Sequence, residues 1–512
     1  MKFIGSLSLC ACVAFAVGCG GGEMDNGGEG GGGGGAGGGP IAASVVVSNT
    51  TNGPFSVAMS TSFQPADWDY LFFALNPGAM TTLGNLGSHH VRLQGIVHGV
   101  PQGSEGANSE AWDFMTLDAI AQPVLSVGDQ SPEFQIAKAP AFMYTDNNSG
   151  NAFTDLSFTE FAGYTQNLVR YYNTGGFMDG GTSYASPAWP NAKVTWWGIY
   201  NEPNINNGLS AQQYTDLYNA VVPAMQSIDP TIKFAAVELA DFYGQEQAWL
   251  PTFVSGVTAQ VDVLATHFYS SCNQKDTDST LFSTVRGFVT DVQAIYSHMA
   301  VNPALASVPV WVTENNVNAD YSGANGMSNC NPGQVFVEDL RGSSPYFAGW
   351  RPYVFSQLGK AGVQALYHWD FGADGQYGEV DYSTGALQLS YWVDFWLGQE
   401  FPPDGGSQLL QYTSSNDADL ETLPVINGDG SVVIMVANHV VKNPSTDNNG
   451  PGVPFSVKVD VSALGAFSSA SVLTIDKDTS VAVGPTATSI TPAEQITLDL
   501  NGYSVGFLTL RP

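Results

Sequence analysis

Two apolar runs in this sequence end on an amide and a carboxyl group. Trp196-Trp197-Gly198-Ile199-Tyr200 runs into Asn201-Glu202-Pro203-Asn204, and Pro309-Val310-Trp311-Val312-Thr313 runs into Glu314-Asn315-Asn316. A turn accounts for the proline and the asparagines, and a helix start accounts for an isolated acid. Neither needs a glutamate at the end of two separate buried strands. Two carboxyl groups placed close together oppose each other's ionisation, so one keeps its proton while the other stays charged. Such a pair can cleave an acetal. The acid protonates the leaving oxygen, and the carboxylate receives or stabilises the oxocarbenium-like centre. Glu202 and Glu314 are therefore the candidate catalytic residues.

Other polar groups follow apolar runs in the same way. Arg92 and Gln94 come with the second run, Asp129 and Glu133 follow the third, His267 and Tyr269 end the sixth, and Trp369-Asp370 ends the eighth. Taken singly, His267 fits a structural histidine, and Tyr269 and Trp369 fit a core. Their position at strand ends, in company with the two glutamates, makes them candidates for holding a substrate.

The elements that must position these groups are short and apolar. The predicted strands are Phe55–Thr61, His90–Gly95, Pro123–Val127, Thr195–Tyr200, Lys233–Val237, Val263–Phe268, Pro309–Thr313 and Ala365–Trp369. Helical patterns lie between them, clearest at Phe158–Tyr172, Ser210–Ser227 and Leu281–His298, with a closing helix at Ser390–Trp396. In the second of these Tyr214, Leu217, Tyr218, Val221 and Val222 share one face, and Ser210 is an N-cap. Continuous apolar strands require burial on both faces, as in a parallel sheet wrapped by helices. The pattern predicts an α/β fold, a (β/α)₈ TIM barrel over 41–402, with chemistry at the C-terminal ends of its strands. A doubly wound open sheet is the rival, but no glycine-rich phosphate loop follows an early strand. After residue 402 the period changes to two, as in Ser456-Val457-Lys458-Val459-Asp460-Val461 and Gln495-Ile496-Thr497-Leu498-Asp499-Leu500. That predicts a C-terminal antiparallel β-sandwich over 403–512, with strands from Gln408 onward, which Ala42–Ser48 is placed to join.

The ends and the composition bound the function class. Residues 1–19 read as a lipoprotein-type signal: Lys2, the apolar Phe3–Val17, then Ala16-Val17-Gly18-Cys19. Cys19 is the expected lipidation site, with an ordinary secretory signal as the alternative. Residues 20–40 are a glycine-rich flexible tether. The expected location is thus a bacterial cell surface or outer membrane, or the medium. A formal charge of −31, from 15 Lys or Arg against 46 Asp or Glu, argues against nucleic acid and against any membrane contact beyond the lipid anchor. Of five cysteines, only Cys272 and Cys330 fall in the folded part, which suggests one disulfide in an exported chain. No Cys/His ligand spacing occurs, and Asp146-Asn147-Asn148-Ser149-Gly150 reads as a turn rather than a calcium loop. No metal and no organic cofactor are expected.

At these residues a family resemblance emerges. Tyr200-Asn201-Glu202-Pro203-Asn204 resembles the "WNEPN" acid/base motif of the retaining (β/α)₈ glycosidase clan. Trp311-Val312-Thr313-Glu314-Asn315-Asn316 resembles the "ITExN" nucleophile motif of glycoside hydrolase family 39. Val91-Arg92-Leu93-Gln94-Gly95 is similar to the family's "VRxHG", Thr266-His267-Phe268-Tyr269 to its "THxY", and Ser131-Pro132-Glu133 to its third-strand loop. The resemblance implies Glu202 as acid/base and Glu314 as nucleophile. Asn201 would bind the sugar 2-hydroxyl. Arg92 and Tyr269 would hold Glu314 ionised, and His267 would line the site. Trp369 would form a stacking floor through a cis bond to Asp370. Gln94 stands where the family has histidine, which alters what the sugar-binding subsite reads. Cys272 and Cys330 follow strands six and seven, so a bridge between them would pin the cleft wall, and the insert Asn315–Pro345 would line or close the cleft. The implied activity is a monomeric retaining glycoside hydrolase acting on an extracellular poly- or oligosaccharide. The alternatives are another clan member, such as an endo-glucanase or endo-mannanase, and a non-catalytic glycan-binding protein. Beyond Arg92, only Lys138, Lys275, Arg341 and Arg351 are placed to meet an anionic sugar, which favours neutral ones.

Overall fold

Eight parallel strands close on themselves: Ala58–Phe63, Val91–Gln94, Glu133–Ile136, Trp196–Ile199, Lys233–Leu239, Val263–Ser271, Val310–Asn318 and Val363–His368, each paired with the next and the last with the first. The computed structural model describes residues 41–64, 72–94, 112, 114–126, 133–145, 153–205, 209–240 and 246–512. The expected signal 1–19 with Cys19, the tether 20–40, Gly95, Val127, Asp129, Ser131-Pro132 and the turn at 146–150 lie outside the described residues. Among the described residues no helix is long and apolar enough to cross a membrane.

Side chains alternate between the two faces of each strand, so the barrel interior fills in layers. The lower layer is apolar. Ala58, Trp196, Ala235, Val263, Ala265, Trp311, Ala365 and Tyr367 form one cluster, with alanines giving room to two tryptophans whose rings lie 4.5 Å apart. The next inward positions are polar: Arg92, Glu133, Gln135, Glu238, His267 and Thr313, all 0 % exposed. Outward residues such as Leu93, Phe134, Ile136, Trp197, Ile199, Leu264, Val312 and Leu366 pack under the helices in the main core.

The third strand corrects the sequence expectation. Pro123 to Ser126 ends a helix, Met115–Ser126, whose Leu117, Ala121 and Val124 are fully buried at helical spacing. The strand is Glu133–Ile136. Both of its inward residues, Glu133 and Gln135, are polar, so no apolar run announces it. Glu133 therefore lies in a strand and not in a loop after one. The sixth and seventh strands also run further than expected, which places Glu314 within Val310–Asn318. The helices Thr159–Thr174, Ala211–Gln226, Asp278–Met299 and Leu389–Glu400 lie where the periodicity predicts, and Ser210 caps the second in a capping box with Gln213.

The C-terminal unit is one nine-stranded sheet that folds over its own apolar face. Val432, Ile434 and Val436 meet Val457, Val459, Ile496 and Leu498 inside it. The alternate residues Val433, Met435 and Ala437 join the barrel core. The strand Ile41–Pro54, which precedes the barrel in sequence, sits inside this sheet, third from one edge. It is antiparallel to Gln408–Ser414 and parallel to Phe455–Asp460, the one departure from an all-antiparallel pattern among the described pairs.

One buried acid ties the two units. Asp278, at the start of its helix, accepts from the backbone N–H groups of Asn449 and Gly450 at 2.8 Å each, from Tyr503 Oη at 3.1 Å and from Arg341 Nη1 at 3.3 Å. Replacing Asp278 by alanine removes the acceptor of all four donors, two of them on the buried side chains of Tyr503 and Arg341. We expect a loss of about 3 kcal/mol in urea-induced unfolding. A loss below about 1 kcal/mol would show that segment 443–450 is anchored by other contacts.

Candidate active site

The run that ends on Glu202 passes through Gly198 for a steric reason. A Cβ there would lie 2.6 Å from Gln135 Cγ and 3.2 Å from Glu238 Oε1. Beyond Ile199 the chain turns sharply. Tyr200 and Glu202 adopt φ of 64° and 46°, and the buried Tyr200 hydroxyl meets that of Tyr144 at 2.6 Å. The turn aims Glu202 back over the barrel, where its backbone N–H donates to Glu238 O at 2.9 Å.

Glu202 and Glu314 converge. His267 Nδ1 lies 3.0 Å from Glu202 Oε1 and 3.5 Å from Glu314 Oε2, and oxygens of the two carboxyl groups approach within 4.8 Å. Glu314 is held from two sides, by Arg92 Nη1 at 3.1 Å and by the Tyr269 hydroxyl at 2.9 Å. Arg92 also donates to Gln94 Oε1 and Asn201 Oδ1, each at 2.9 Å, and to Glu238 Oε2 at 3.2 Å. Every residue named from the sequence at this site is thereby placed in one cluster, apart from Trp369, which lines the same cleft. Trp369 precedes a cis peptide to Asp370. Its carbonyl accepts from Asn316 Nδ2 at 2.5 Å, and Asn315 Nδ2 donates to Phe268 O at 2.6 Å. The two asparagines after Glu314 thus tie the seventh strand to its neighbours.

The cleft holds about 1140 Å³, larger than a single sugar requires. Its walls include Gln94, Asn201, Glu202, Tyr269, Glu314, Trp369, Asp370 and Tyr377, and Tyr321 and Phe336 from the insert after the seventh strand. Cys272 and Cys330 are bonded, with Cα atoms 5.8 Å apart, and join that insert to the loop after the sixth strand.

Residues 184–339 match the family model described as the glycosyl hydrolase catalytic core. The chain carries a glycoside hydrolase catalytic core. No curated protein sequence matches the chain. Among solved structures it is similar to a GH51 α-L-arabinofuranosidase from Thermotoga petrophila RKU-1, with TM-score 0.64 and 16% identity over 91% of this chain and 99% of that one. A monomeric β-xylosidase from Caulobacter crescentus CB15 gives 0.63 and 15% over 92% and 99%. The GH39 enzyme from Xanthomonas axonopodis pv. citri gives 0.62 and 14% over 92% and 97%. At such identities these likenesses establish a shared fold.

The matched segment of the glycosidase core also carries two residues that strand-end reasoning passed over. Glu238 sits in the fifth strand, where it accepts from Thr313 Oγ1 at 2.6 Å and faces His267 Nε2 at 3.2 Å. Thr313 itself was read only as a strand residue. A lone acid inside Phe234-Ala235-Ala236-Val237-Glu238-Leu239 was the available signal. Glu133, outside that segment, accepts from Tyr367 at 2.9 Å and lies 3.9 Å from Arg92 Nε.

The glycosidase core thus concentrates charge without solvent. Burial, joined by the neighbouring Glu238 charge, raises Glu133 to about 8 against the pull of Arg92 and Tyr367. Burial would lower His267, but Glu314, Glu202 and Glu238 outweigh it and raise the ring to about 9. Burial and the Glu202 charge push Glu314 above the usual range, while His267, Arg92 and Tyr269 restrain the rise. Glu202, His267 and Glu314 also have the spacing of a metal site. Both ring nitrogens of His267 face carboxylate oxygens, Nδ1 toward Glu202 at 3.0 Å and Nε2 toward Glu238 at 3.2 Å.

Gly198→Ala is expected to cost about 1–3 kcal/mol through overpacking against Gln135 and Glu238. Chemical denaturation reads this directly. An unchanged midpoint would show that Gln135 can step aside.

Proposed function

We propose that this core works as a retaining glycosidase on neutral poly- or oligosaccharides outside the cytoplasm. The observation that carries the reading is the approach of Glu202 and Glu314 to within 4.8 Å across one cleft. Retaining enzymes hold their carboxyl groups about 5–5.5 Å apart, whereas inverting enzymes leave about 6.5 Å or more for a water. Glu314, fixed by Arg92 and Tyr269, attacks the anomeric carbon while Glu202 gives a proton to the leaving oxygen. The glycosyl ester is then opened by water that loses its proton to Glu202, so the configuration is kept.

Charge supports a neutral sugar. Among the described residues the cleft walls carry Glu202, Glu314, Asp370 and Asp374 and no Lys or Arg. Arg92 has no exposed surface, and its Nη atoms already meet four acceptors. Arg341 and Arg351 are buried against Asp339 and Asp394. Lys275 is exposed and donates to Gln334. No Lys or Arg occurs in 65–71, 95–111, 127–132, 146–152, 206–208 or 241–245. Among the charged groups on the described walls, a sugar carboxylate would meet only carboxylates. Export through the segment 1–19, with lipidation at Cys19, completes the proposal.

Glu314→Gly should lower turnover of an aryl glycoside roughly 10⁴-fold or more, and azide should restore part of it as the inverted glycosyl azide. Activity that survives the substitution would remove Glu314 from the role. Neutral aryl glycosides should be cleaved and the matching uronides left intact, and the reverse preference would overturn the charge argument. Binding of glycans without any cleavage would point instead to a glycan-binding protein. Glu314 must be ionised to attack, and its proton affinity is raised. Activity should therefore fall on acidification through a limb lying above the ordinary glutamate value of 4.5, measured as kcat/KM against pH.

A further inference from the structure

The fifth strand departs from regular geometry just below the catalytic pair. Val237 and Glu238 both adopt left-handed backbone, φ 78° and 47°, and the pairing with the sixth strand slips between Ala236 and Leu239. A β-branched residue at positive φ is a costly conformation that surrounding structure must enforce. The bulge has two results. It carries Glu238 O to the N–H of Glu202, and it turns the Glu238 carboxylate inward, where Oε2 meets Arg92 Nη2, Thr313 Oγ1 and His267 Nε2.

We infer that Glu238 is a positioning residue for the proposed reaction: by accepting at Nε2 it fixes the hydrogen-bearing nitrogen of His267, so that Nδ1 and Glu202 Oε1 share one exchangeable proton. This rests on the assignment of Glu202 as acid/base. Both Arg92 and Thr313 donate to Glu238 Oε2, so that oxygen must be an acceptor and His267 Nε2 must be a donor toward it. Nδ1 then faces Glu202 across 3.0 Å with either a proton or a lone pair. When the leaving oxygen departs, the hydrogen held in that contact breaks from nitrogen or carboxyl oxygen and forms the O–H of the departing alcohol. The water of the second step returns a proton to the same place, so the cycle balances with one proton.

The charged and titratable groups around Glu238 are Arg92 from the second strand, Glu133 from the third and Glu202 from the fourth. The sixth and seventh strands add His267 and Glu314, and the helix Ala211–Gln226 adds Tyr214, whose hydroxyl accepts from Val237 N at 2.8 Å. Tyr367 donates to Glu133 at 2.9 Å. Arg92 stays charged throughout. Loss of the Glu238 charge therefore weakens the hold on the shared proton, and the basic limb of activity should move to lower pH.

The test compares wild type with Glu238→Gln and Glu238→Asp on two glycosides of a neutral sugar that wild type cleaves, one with an alkyl and one with a 2,4-dinitrophenyl leaving group. For the alkyl glycoside, Glu238→Gln should shift the basic limb of kcat/KM down by about 1 pH unit or more, and Glu238→Asp should restore most of it. The dinitrophenyl glycoside needs no proton and should change little. Equal losses on both substrates, or an unmoved limb, would overturn the inference. Because a variant of so buried a residue can fail to fold, the ¹⁵N shifts of His267 in the wild-type protein provide a second reading. They should show Nε2–H with Nδ1 titrating, and an Nδ1–H tautomer would refute the assignment. A wild type that cleaves no glycoside at all fails the functional reading itself, separately from the role of Glu238.

Discussion

A guanidinium without exposed surface cannot stay charged inside a barrel unless carboxylates and amides surround it, and Arg92 dictates much of what surrounds this one. Its two terminal nitrogens meet Gln94 of its own strand, Glu238 and Glu314 of the fifth and seventh, and Asn201 in the turn after the fourth, and Glu133 stands 3.9 Å from Nε. Taking away Glu238 or Glu314 would leave charge poorly compensated at a cost of about 3–5 kcal/mol, far more than a surface ion pair. The arginine therefore acts as a hub that fixes the side-chain directions of both Glu314 and Asn201. The apolar layer of tryptophans and alanines below keeps water from entering beneath it.

The same demand recurs a short distance away and explains how the floor of the cleft is held. Arg351, also without exposed surface, is paired with Asp394 from the last helix of the barrel, and it donates to Asn315 as well. Asp394 in turn meets His368 Nδ1 at 2.8 Å, and His368 Nε2 is 2.7 Å from Tyr377 O. Residue 368 directly precedes Trp369. A ring that faces acceptors at both nitrogens, with Asn316 holding the Trp369 carbonyl, fixes the backbone from which the tryptophan projects. Two buried arginines thus brace the two sides of one site through separate sets of acids.

What the sequence revealed follows from where its polar residues stand. Glu202 and Glu314 were legible because they interrupt strongly apolar runs, and Ser210 because a capping residue stands directly ahead of a helical period. The third strand was not legible, because Glu133 and Gln135 face inward into the polar layer and leave only two apolar residues, Phe134 and Ile136, on view. Glu238 was obscured by a bulge. Strict alternation from Ala235 puts Val237 inward, and only the left-handed backbone reverses this. The ties made by Asp278 and by Arg351 join residues far apart in the chain, and no local period encodes such pairs. The entry of Ile41–Pro54 into the C-terminal sheet belongs to the same class. Its alternation marks a strand, but its partners lie more than 350 residues downstream at Gln408–Ser414 and Phe455–Asp460.

Counting charges around His267 shows why so many acids can serve one reaction. With His267 raised to about 9 and Glu133 to about 8, Arg92 and His267 stand against Glu238 and Glu314 in the buried layer, and Glu202 faces them from its rim. On the proposed mechanism, the glycosyl ester removes the charge of Glu314, the strongest of the influences that raise the proton affinity of His267. The proton just given to the leaving group is then not recovered from solvent, because the site that would hold it has become less attractive. Glu202 remains a carboxylate until water attacks, which is the state the second step requires. Hydrolysis of the ester restores Glu314 as an anion and with it the affinity that reloads the pair. Alternation between acid and base would in this way be driven by the covalent bond itself, with Arg92 and Glu238 unchanged from one half of the cycle to the other.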